Sequence, residues 1–420
     1  MNAVLDELKW RGLVYQSTDE AALAEHLDQG PITGYVGFDP SAPSIHFGNL
    51  VQLMVWRRLQ NAGHKPLLLV GGATGLIGDP RMSSERNLNP KEVVEQWVER
   101  IRSQVSGFVS FEGSNAAEVV NNYDWTKDLS TLDFLRDVGK YFSVNRMLAR
   151  DVVASRLESG ISYTEFSYIL LQSLDYRELF RTKNCTLQTG ASDQWGNISS
   201  GVELIRRSEG AKVHGLCTPL LTKADGTKFG KTESGTVWLD PEMTSPYAFH
   251  QFFLNAEDAK VIDYLKVFSD RDRDEIEHLD HLTQTEPFRR AAQKALADDI
   301  TDLVHSVAER EAAVAAAQAA FGRGELRELP ASTVQALMKE IGAVTCEGPE
   351  LPTIVDAMAL AGVVASKSAA RRAVDEGGAY LNNEKVTDPD RRISSEDLLA
   401  DGYVLLRRGK KTVGGLQIGG

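Results

Sequence analysis

Apolar residues at positions 47, 50, 51, 54 and 55 recur at helical spacing, and two unbroken apolar runs flank them: "GYVGF" (34–38) and "KPLLLVGG" (65–72). The spacing predicts a helix opening at Phe47, and the runs predict buried strands. Asn61–Gly63 breaks the pattern between the helix and the second strand. Strand, helix and strand in so short a span form a βαβ unit, which implies a parallel sheet. Ligands of such sheets lie beyond the carboxyl ends of the strands. Two loops leave those ends here, 39–46 and 71–81. Residues 18–29 predict another helix, with Thr18 and Asp19 as caps and Ala22, Leu23 and Leu27 at helical spacing. Residues 90–180 are mostly helical by pattern, and "CTLQTG" (185–190) predicts a further strand feeding "ASDQWGN". The stretch 222–235, "TKADGTKFGKTESG", has three glycines and no apolar periodicity, so a loop is expected.

The C-terminal part differs in character. Residues 246–320 are helix-rich and end in the alanine-rich "EREAAVAAAQAAFG". A linker is expected over 323–350. "SKSAARRAVDEGG" predicts a basic helix closed by a glycine pair, and "AYLNNEKV" predicts a hairpin turning at Asn382–Asn383. The expected division is therefore 1–225, 226–322, a linker at 323–350, and 351–420. There is no long-period repeat and no low-complexity tract.

Composition narrows the class. With 420 residues, 42% hydrophobic, the chain can bury two or three cores. It has no apolar run of the ~18 residues that a membrane helix needs and no basic, greasy leader, so neither a membrane partner nor secretion is expected. Cys185, Cys217 and Cys346 lie far apart with no CxxC pair. That argues against a metal site or a disulfide framework, and for a cytoplasmic, reducing setting. The net charge of −13 argues against nucleic-acid binding by the whole chain, yet it is uneven. Residues 351–420 hold ten Lys and Arg against nine Asp and Glu, so they are +1 and the first 350 residues carry −14. No acid follows Asp401, while Arg407, Arg408, Lys410 and Lys411 cluster. A local basic patch is what a polyanion feels.

Three motifs carry the chemistry. "GGATGLIGD" spaces Gly72, Gly75 and Gly78 like a dinucleotide fingerprint, but the acid that should follow about 20 residues on, at a second strand end, is missing. Glycines for a tight turn and close packing explain it without a cofactor. "HFGN" (46–49) opens a helix after a parallel strand, where free N–H groups and the helix dipole attract anions. A lone histidine is usually a surface or core residue. Here His46 and Ser41 can donate to phosphate oxygens, Gly48 leaves room for a flat ring, and Asn49 keeps an amide donor. "KFGKT" (228–232) places two lysines three apart on a glycine-rich loop. Alone these are a solvated pair; beside the His46 motif they are mobile cations for a triphosphate.

These motifs resemble the HIGH and KMSKS signatures of the class I aminoacyl-tRNA synthetases. The resemblance extends to the bacterial tyrosyl-tRNA synthetases through "YVGFDPSAPSIHFGNL", "GGATGLIGDP", "YTEFSYILLQSLDY", "LQTGASDQWGN" and "DGTKFGKT", in order. The final "LAGVVASKSAARRAVDEGGAYLNNEKV" resembles the S4-type RNA-binding domain of those enzymes. Together they cover nearly the whole chain. The implied architecture is an α/β, Rossmann-like parallel-sheet catalytic domain, then a helical domain, then a small α+β S4-like domain.

The resemblance implies that tyrosine is activated with ATP to tyrosyl-adenylate and then transferred to the 3′ end of tRNA(Tyr). Tyr35 and Asp175 would contact the phenol, with Tyr168, Gln172 and Asp79 on the ammonium and Gln188 behind the pocket. Tyr168, Gln172 and Asp175 also share one helical face by spacing alone. Gly37, Asp39, Gly48, Asn49, Asp193 and Gln194 would line the ATP site, with Asp193 on the ribose. His46, Ser41, Lys228, Lys231 and Thr232 would stabilise the reacting phosphates, Arg86 would assist the pyrophosphate, and Mg²⁺ would ride on ATP, with no tightly bound cofactor. Lys367, Arg371, Arg372, Lys385, Arg407 and Arg408 would hold RNA, and the resemblance implies a homodimer. The chain departs from the pattern at Asn49, where a second histidine is usual, at Ser41, commonly threonine, and at Ala191, often glycine. A tryptophanyl enzyme of the same class, a non-catalytic RNA-binding relative and a dehydrogenase are the competing readings. The Tyr35/Asp175 pair, the intact signatures and the missing acid argue against each in turn.

Overall fold

The computed structural model describes residues 2–80, 88–232, 235–347, 350–409 and 412–419, with only the backbone described at 231 and 232. The chain divides into two compact units, one of residues 1–240 with 257–281, the other of 241–256 with 282–420.

The first unit is built on a six-stranded sheet. Its strands are β1 (Gln16–Ser17), β2 (Thr33–Phe38), β3 (Lys65–Val70), β4 (Glu118–Asn121), β5 (Cys185–Ala191) and β6 (His214–Thr218). The spatial order is β1-β6-β5-β2-β3-β4, parallel throughout except for β1 against β6. From β2 the chain runs outward through β3 to β4, then returns to lay β5 along the other edge of β2. The strand order reverses between β2 and β5, and that is where an open parallel sheet forms its ligand crevice. The expected elements form: the helix Phe47–Asn61 leaves the loop after β2, and Asp19 caps the helix Glu20–Asp28 by accepting from the Ala22 N–H. β4 falls inside a stretch whose pattern is helical. Its four residues sit half-exposed at the sheet edge and offer neither alternation nor a long apolar run.

The glycines of "GGATGLIGD" serve packing. A Cβ at Gly72 would collide with the Asn121 side chain, and one at Gly75 with Pro40. The turn after β3 can therefore press against the β4 exit and the loop after β2.

In the second unit, β9 (Val344–Cys346), β10 (Ala379–Leu381), β11 (Glu384–Lys385), β12 (Tyr403–Arg408) and β13 (Thr412–Ile418) form a sheet of order β11-β10-β12-β13-β9. Asn382 and Asn383 both take positive φ between β10 and β11, the turn the Asn-Asn pair predicts. Two expectations fail here. The segment 323–350 holds the helix Ala331–Glu340, which buries Val334, Leu337 and Met338, and also β9, which pairs in parallel with β13. It is part of the fold, not a linker. The helical region is also divided, since residues 257–281 belong to the first unit.

Strand β12 has apolar residues on both faces. Val404 and Leu406 pack with the helices Ile354–Leu360 and Lys367–Asp375, whereas Tyr403 and Leu405 pack with Tyr247, Ala316, Leu337 and Met338. The small C-terminal sheet and the preceding helices thus share a core. Leu405→Ala should cost about 2–5 kcal/mol and lower the melting temperature of this unit. An unchanged melting curve would contradict the shared core.

Candidate active site

A cavity of about 430 Å³ opens at the carboxyl ends of β2 and β5. From the loop after β2 come Asp39 and Ser41, and from the following helix mouth His46, Gly48 and Asn49. The helix Tyr163–Lys183 contributes Tyr168, Gln172 and Asp175, so the shared face that spacing predicted looks inward. Tyr35 and Gly37 come from β2, Gln188 from β5, Asp193 and Gln194 from the turn after β5, and Asp79 and Lys228 from their loops. Every expected catalytic, tyrosine and ATP residue lines this cavity except Lys231 and Thr232, whose side chains lie outside the described residues, as does Arg86.

One end of the cavity is acidic. The Asp175 carboxylate is buried and accepts from Asn122 Nδ2 at 3.0 Å and Trp125 Nε1 at 2.9 Å. Burial pushes its pKa up to about 7, and the two hydrogen bonds oppose that rise. Asp39 accepts from the Tyr168 hydroxyl and from Thr74 Oγ1, both at 2.6 Å. Asp39 therefore belongs to the acidic end as well as to the edge of the expected ATP site. Asp79 accepts from Gln194 Nε2 at 2.9 Å and Asn197 Nδ2 at 3.3 Å, and burial raises its pKa too. These six donors are uncharged and orient the three acids, and the Arg150 charge also acts on Asp79. The Tyr35 hydroxyl, Gln172 Oε1 and Gln188 Oε1 are buried and lack a hydrogen-bond partner among the described residues. Burial, and after it the Asp175 charge, makes Tyr35 hold its proton well above the usual range. An acidic pocket with uncommitted polar atoms suits a ligand that brings a cation and a hydroxyl.

Asn122, Trp125, Thr74 and Asn197 were not expected. Asn122 follows the edge strand β4, and no local motif marks it. It accepts from the Ala73 N–H, donates to Thr74 Oγ1 and reaches Asp175, tying two strand exits to the helix.

The other end is the helix mouth. The His46 N–H donates to Asn49 Oδ1 at 3.2 Å, which leaves the Asn49 amide nitrogen as the free donor end. A Cβ at Gly48 would lie 2.9 Å from the His46 ring, so the glycine first makes room for that imidazole. Residues 45–47 pair with 237–239: Leu239 N–H donates to Ile45 O and Phe47 N–H to Val237 O. The lysine loop is a hairpin in which Thr222 bridges Lys228 and Phe229 N–H donates to Leu221 O. It leads into a short ribbon of β7 (Lys231–Thr232) and β8 (Gly235–Thr236). The two signature stretches touch through their aromatic residues, Phe47 meeting Phe229 edge-on at 5.1 Å. Gly230, at φ +93°, lies so close to Phe47 that any Cβ would enter its ring.

The basic residues of the second unit divide. Arg372, Lys385 and Arg408 are exposed. Lys367 pairs with Asp356 at 2.5 Å and Arg371 with Asp390 at 2.7 Å. Arg407 does not join them. It is 6% exposed, stacks over Tyr380 at 4.0 Å and donates to Gly409 O and Asn383 Oδ1. Arg407 lies on the face of Tyr403 and Leu405 and is buried there, while Arg408 is exposed at the end of the strand, which a run of basic letters does not reveal. Lys410 and Lys411 lie outside the described residues.

Residues 27–322 match the family "tRNA synthetases class I (W and Y)", and residues 333–413 match the "Tyrosine--tRNA ligase SYY-like C-terminal domain". The tyrosine–tRNA ligase of Cutibacterium acnes is 67% identical over 99% of this chain and all of that protein. That of Streptomyces avermitilis is 56% identical over the full length of both. A C-terminally truncated mitochondrial tyrosyl-tRNA synthetase of Aspergillus nidulans superposes with a TM-score of 0.68 at 30% identity, covering 74% of this chain and 92% of that one. With its Rossmann-like crevice, helix-mouth histidine and paired lysine loop, the chain belongs to the class I tRNA synthetases. Within them it belongs to the tyrosine–tRNA ligases. Among the described residues no helix is long and apolar enough to cross a membrane.

Asn122→Ala removes a donor that lowers the Asp175 pKa. The titration midpoint, read from the NMR signal of the Trp125 indole N–H, should move above about 7. An unchanged or lower midpoint would contradict the hydrogen-bond assignment.

Proposed function

We propose that this cavity aligns tyrosine and ATP for adenylate formation, the first step of tyrosine ligation to tRNA(Tyr). The observation that carries the reading is the buried Asp175 carboxylate beside an uncommitted Tyr35 hydroxyl, in one cavity with His46 and Lys228. Asp175 accepts a hydrogen bond from the phenolic hydroxyl of the substrate and Tyr35 donates one to its oxygen. Asp79, Tyr168 and Gln172 hold the ammonium, which supplies the positive charge the acidic end needs, and Gln188 supports the pocket.

The tyrosine carboxylate is ionised at neutral pH and needs no general base. It attacks the α-phosphorus of ATP in line, a tyrosyl–phosphate bond forms, and the bond to pyrophosphate breaks. Negative charge shifts onto the leaving oxygens, so catalysis is positioning plus electrostatics. His46, Ser41, Lys228, Lys231 and Thr232 meet that charge, the lysines most strongly in the transition state. Gly37, Asp39, Gly48, Asn49, Asp193 and Gln194 cradle the nucleotide, with Asp193 on the ribose, and Mg²⁺ carried by the ATP phosphates would share the neutralisation. The exposed Arg372, Lys385 and Arg408 offer charge to tRNA phosphates directly, whereas Lys367 and Arg371 must exchange their acid partners for phosphate. We place the reaction in the cytoplasm, where free thiols such as Cys185, Cys217 and Cys346 stay reduced.

We also propose a homodimer. Leu132, Leu135, Val144, Leu157 and Tyr163 are large apolar residues exposed between 46% and 78%, all within one stretch of 32 residues. Exposed apolar residues that recur on each copy suit a two-fold interface. Tyr163 opens the helix that carries Tyr168, Gln172 and Asp175, so assembly would brace the amino-acid pocket.

Lys231→Ala should slow single-turnover adenylate formation by at least about tenfold while tyrosine affinity holds; an unchanged rate would remove its role. Asp175→Ala should abolish the preference for tyrosine over phenylalanine in ATP–pyrophosphate exchange, and retained discrimination would refute the pocket. Tyr163→Asp should shift sedimentation toward the monomer, whereas a surviving dimer would place the interface elsewhere.

A further inference from the structure

The lysine loop is gripped from below by one segment of the first unit, residues 257–268. Three contacts make the grip. The Glu257 carboxylate accepts from the Ala224 N–H at 2.7 Å. The Tyr264 hydroxyl donates to the Thr222 carbonyl at 2.9 Å. The Tyr264 ring stacks on Phe229, with centroids 3.9 Å apart and planes 15° from parallel. The first two contacts hold the ascending arm of the hairpin, and the third holds Phe229, next to Lys228 and two residues before Lys231.

The gripping segment is itself anchored. Its helix, Val261–Phe268, buries Val261, Tyr264, Leu265, Val267 and Phe268. Arg11 donates to the carbonyls of Lys266, Ser269 and Arg271, and Arg58 donates to that of Ser269. Both guanidinium groups are buried, so the carbonyls at this helix end are held by charge away from water. Phe268 also packs on Phe47 at 5.8 Å, the residue after His46. The helix mouth and the lysine loop therefore rest on the same short helix.

We propose that Glu257 and Tyr264 are positioning residues for adenylate formation, holding the 222–229 hairpin where its lysines meet the triphosphate. This rests on the reading of Lys228 and Lys231 as phosphate ligands. Neither positioning residue touches a substrate. Loss of the grip leaves the hairpin sampling other positions, and the rate falls with the fraction of time the lysines spend in place. Tyrosine binds at the far, acidic end, so its affinity is untouched.

The test uses the full chain and single-turnover adenylate formation, with tyrosine affinity measured separately. Glu257→Ala and Tyr264→Phe each delete one hydrogen bond and should slow the step about three- to fivefold. Tyr264→Leu also removes the stack and should slow it about tenfold or more. The decisive arm repeats these substitutions in K228A/K231A. Without the lysines the hairpin has nothing to position, so the same changes should alter the residual rate by less than about twofold. Equal slowing in both backgrounds would mean a general structural effect and overturn the proposal, as would wild-type or faster rates for Glu257→Ala and Tyr264→Phe. If K228A/K231A itself activates tyrosine at the wild-type rate, the phosphate-ligand reading fails and takes the grip with it. That result differs from a slow lysine variant beside unaffected grip variants, which sinks the grip alone.

Discussion

Withdrawing a carboxylate from water costs several kcal/mol unless hydrogen bonds or an opposite charge meet it. Asp175 is 2% exposed, and its two oxygens are met by one amide and one indole N–H. That is enough to orient the group and too little to neutralise it, so it is left close to neutral pH in its titration. The elements around it follow from this constraint. β4 has to reach far enough for Asn122 to arrive, Trp125 must turn back toward the sheet, and the helix Tyr163–Lys183 must present Asp175 on its inner face. Asp39 and Asp79 line the same cavity, and the Arg150 charge acts on Asp79. A ligand carrying an ammonium group would complete the electrostatics, which is what the proposed function asks of this end.

The opposite end has the reverse polarity. A helix N-terminus, an imidazole and a lysine hairpin face the cavity there, with Phe47 and Phe229 as the apolar floor. Acids at one end and, at the other, Lys228 with a helix N-terminus give the cavity a field along its length. In the proposed reaction a zwitterionic tyrosine beside the triphosphate of ATP would lie along that field. Neither end performs proton transfer in the proposed reaction; hydrogen bonds orient the acids at one end, and Gly230 packs closely on Phe47 at the other.

The residues that line the cavity were legible because their chemistry is local. His46, Gly48 and Asn49 sit together at a predicted helix mouth, and Tyr168, Gln172 and Asp175 sit three and four apart on one helix. What supports them was not legible. Asn122 and Trp125 lie beyond a four-residue edge strand that has no periodicity, and they act on a residue 53 and 50 positions away. Arg407 looked like one more member of a basic cluster, because charge is visible in a sequence and the face of a strand is not. The stretch 323–350 looked like a linker because its helix and strand are short, and their burial depends on β12 and β13, which come much later. Local pattern reports what a residue can do; its partners come from long-range closure of the sheet.

The same limit explains the placement of residues 257–281. By periodicity they continue a helical region, yet they belong with the first unit while the chain on either side belongs with the second. A chain that leaves a unit, returns for 25 residues and leaves again must gain something from the return, since each extra passage restricts both units' freedom. The return supplies the helix that carries Tyr264, the Glu257 carboxylate, and the carbonyls that Arg11 and Arg58 hold. A glycine-rich hairpin cannot support itself; its own contacts are a few backbone hydrogen bonds and the Asp225–Thr227 turn. The foundation for the loop has therefore to come from elsewhere in the chain, and it comes from the one segment that is covalently joined at both ends to the unit expected to hold RNA.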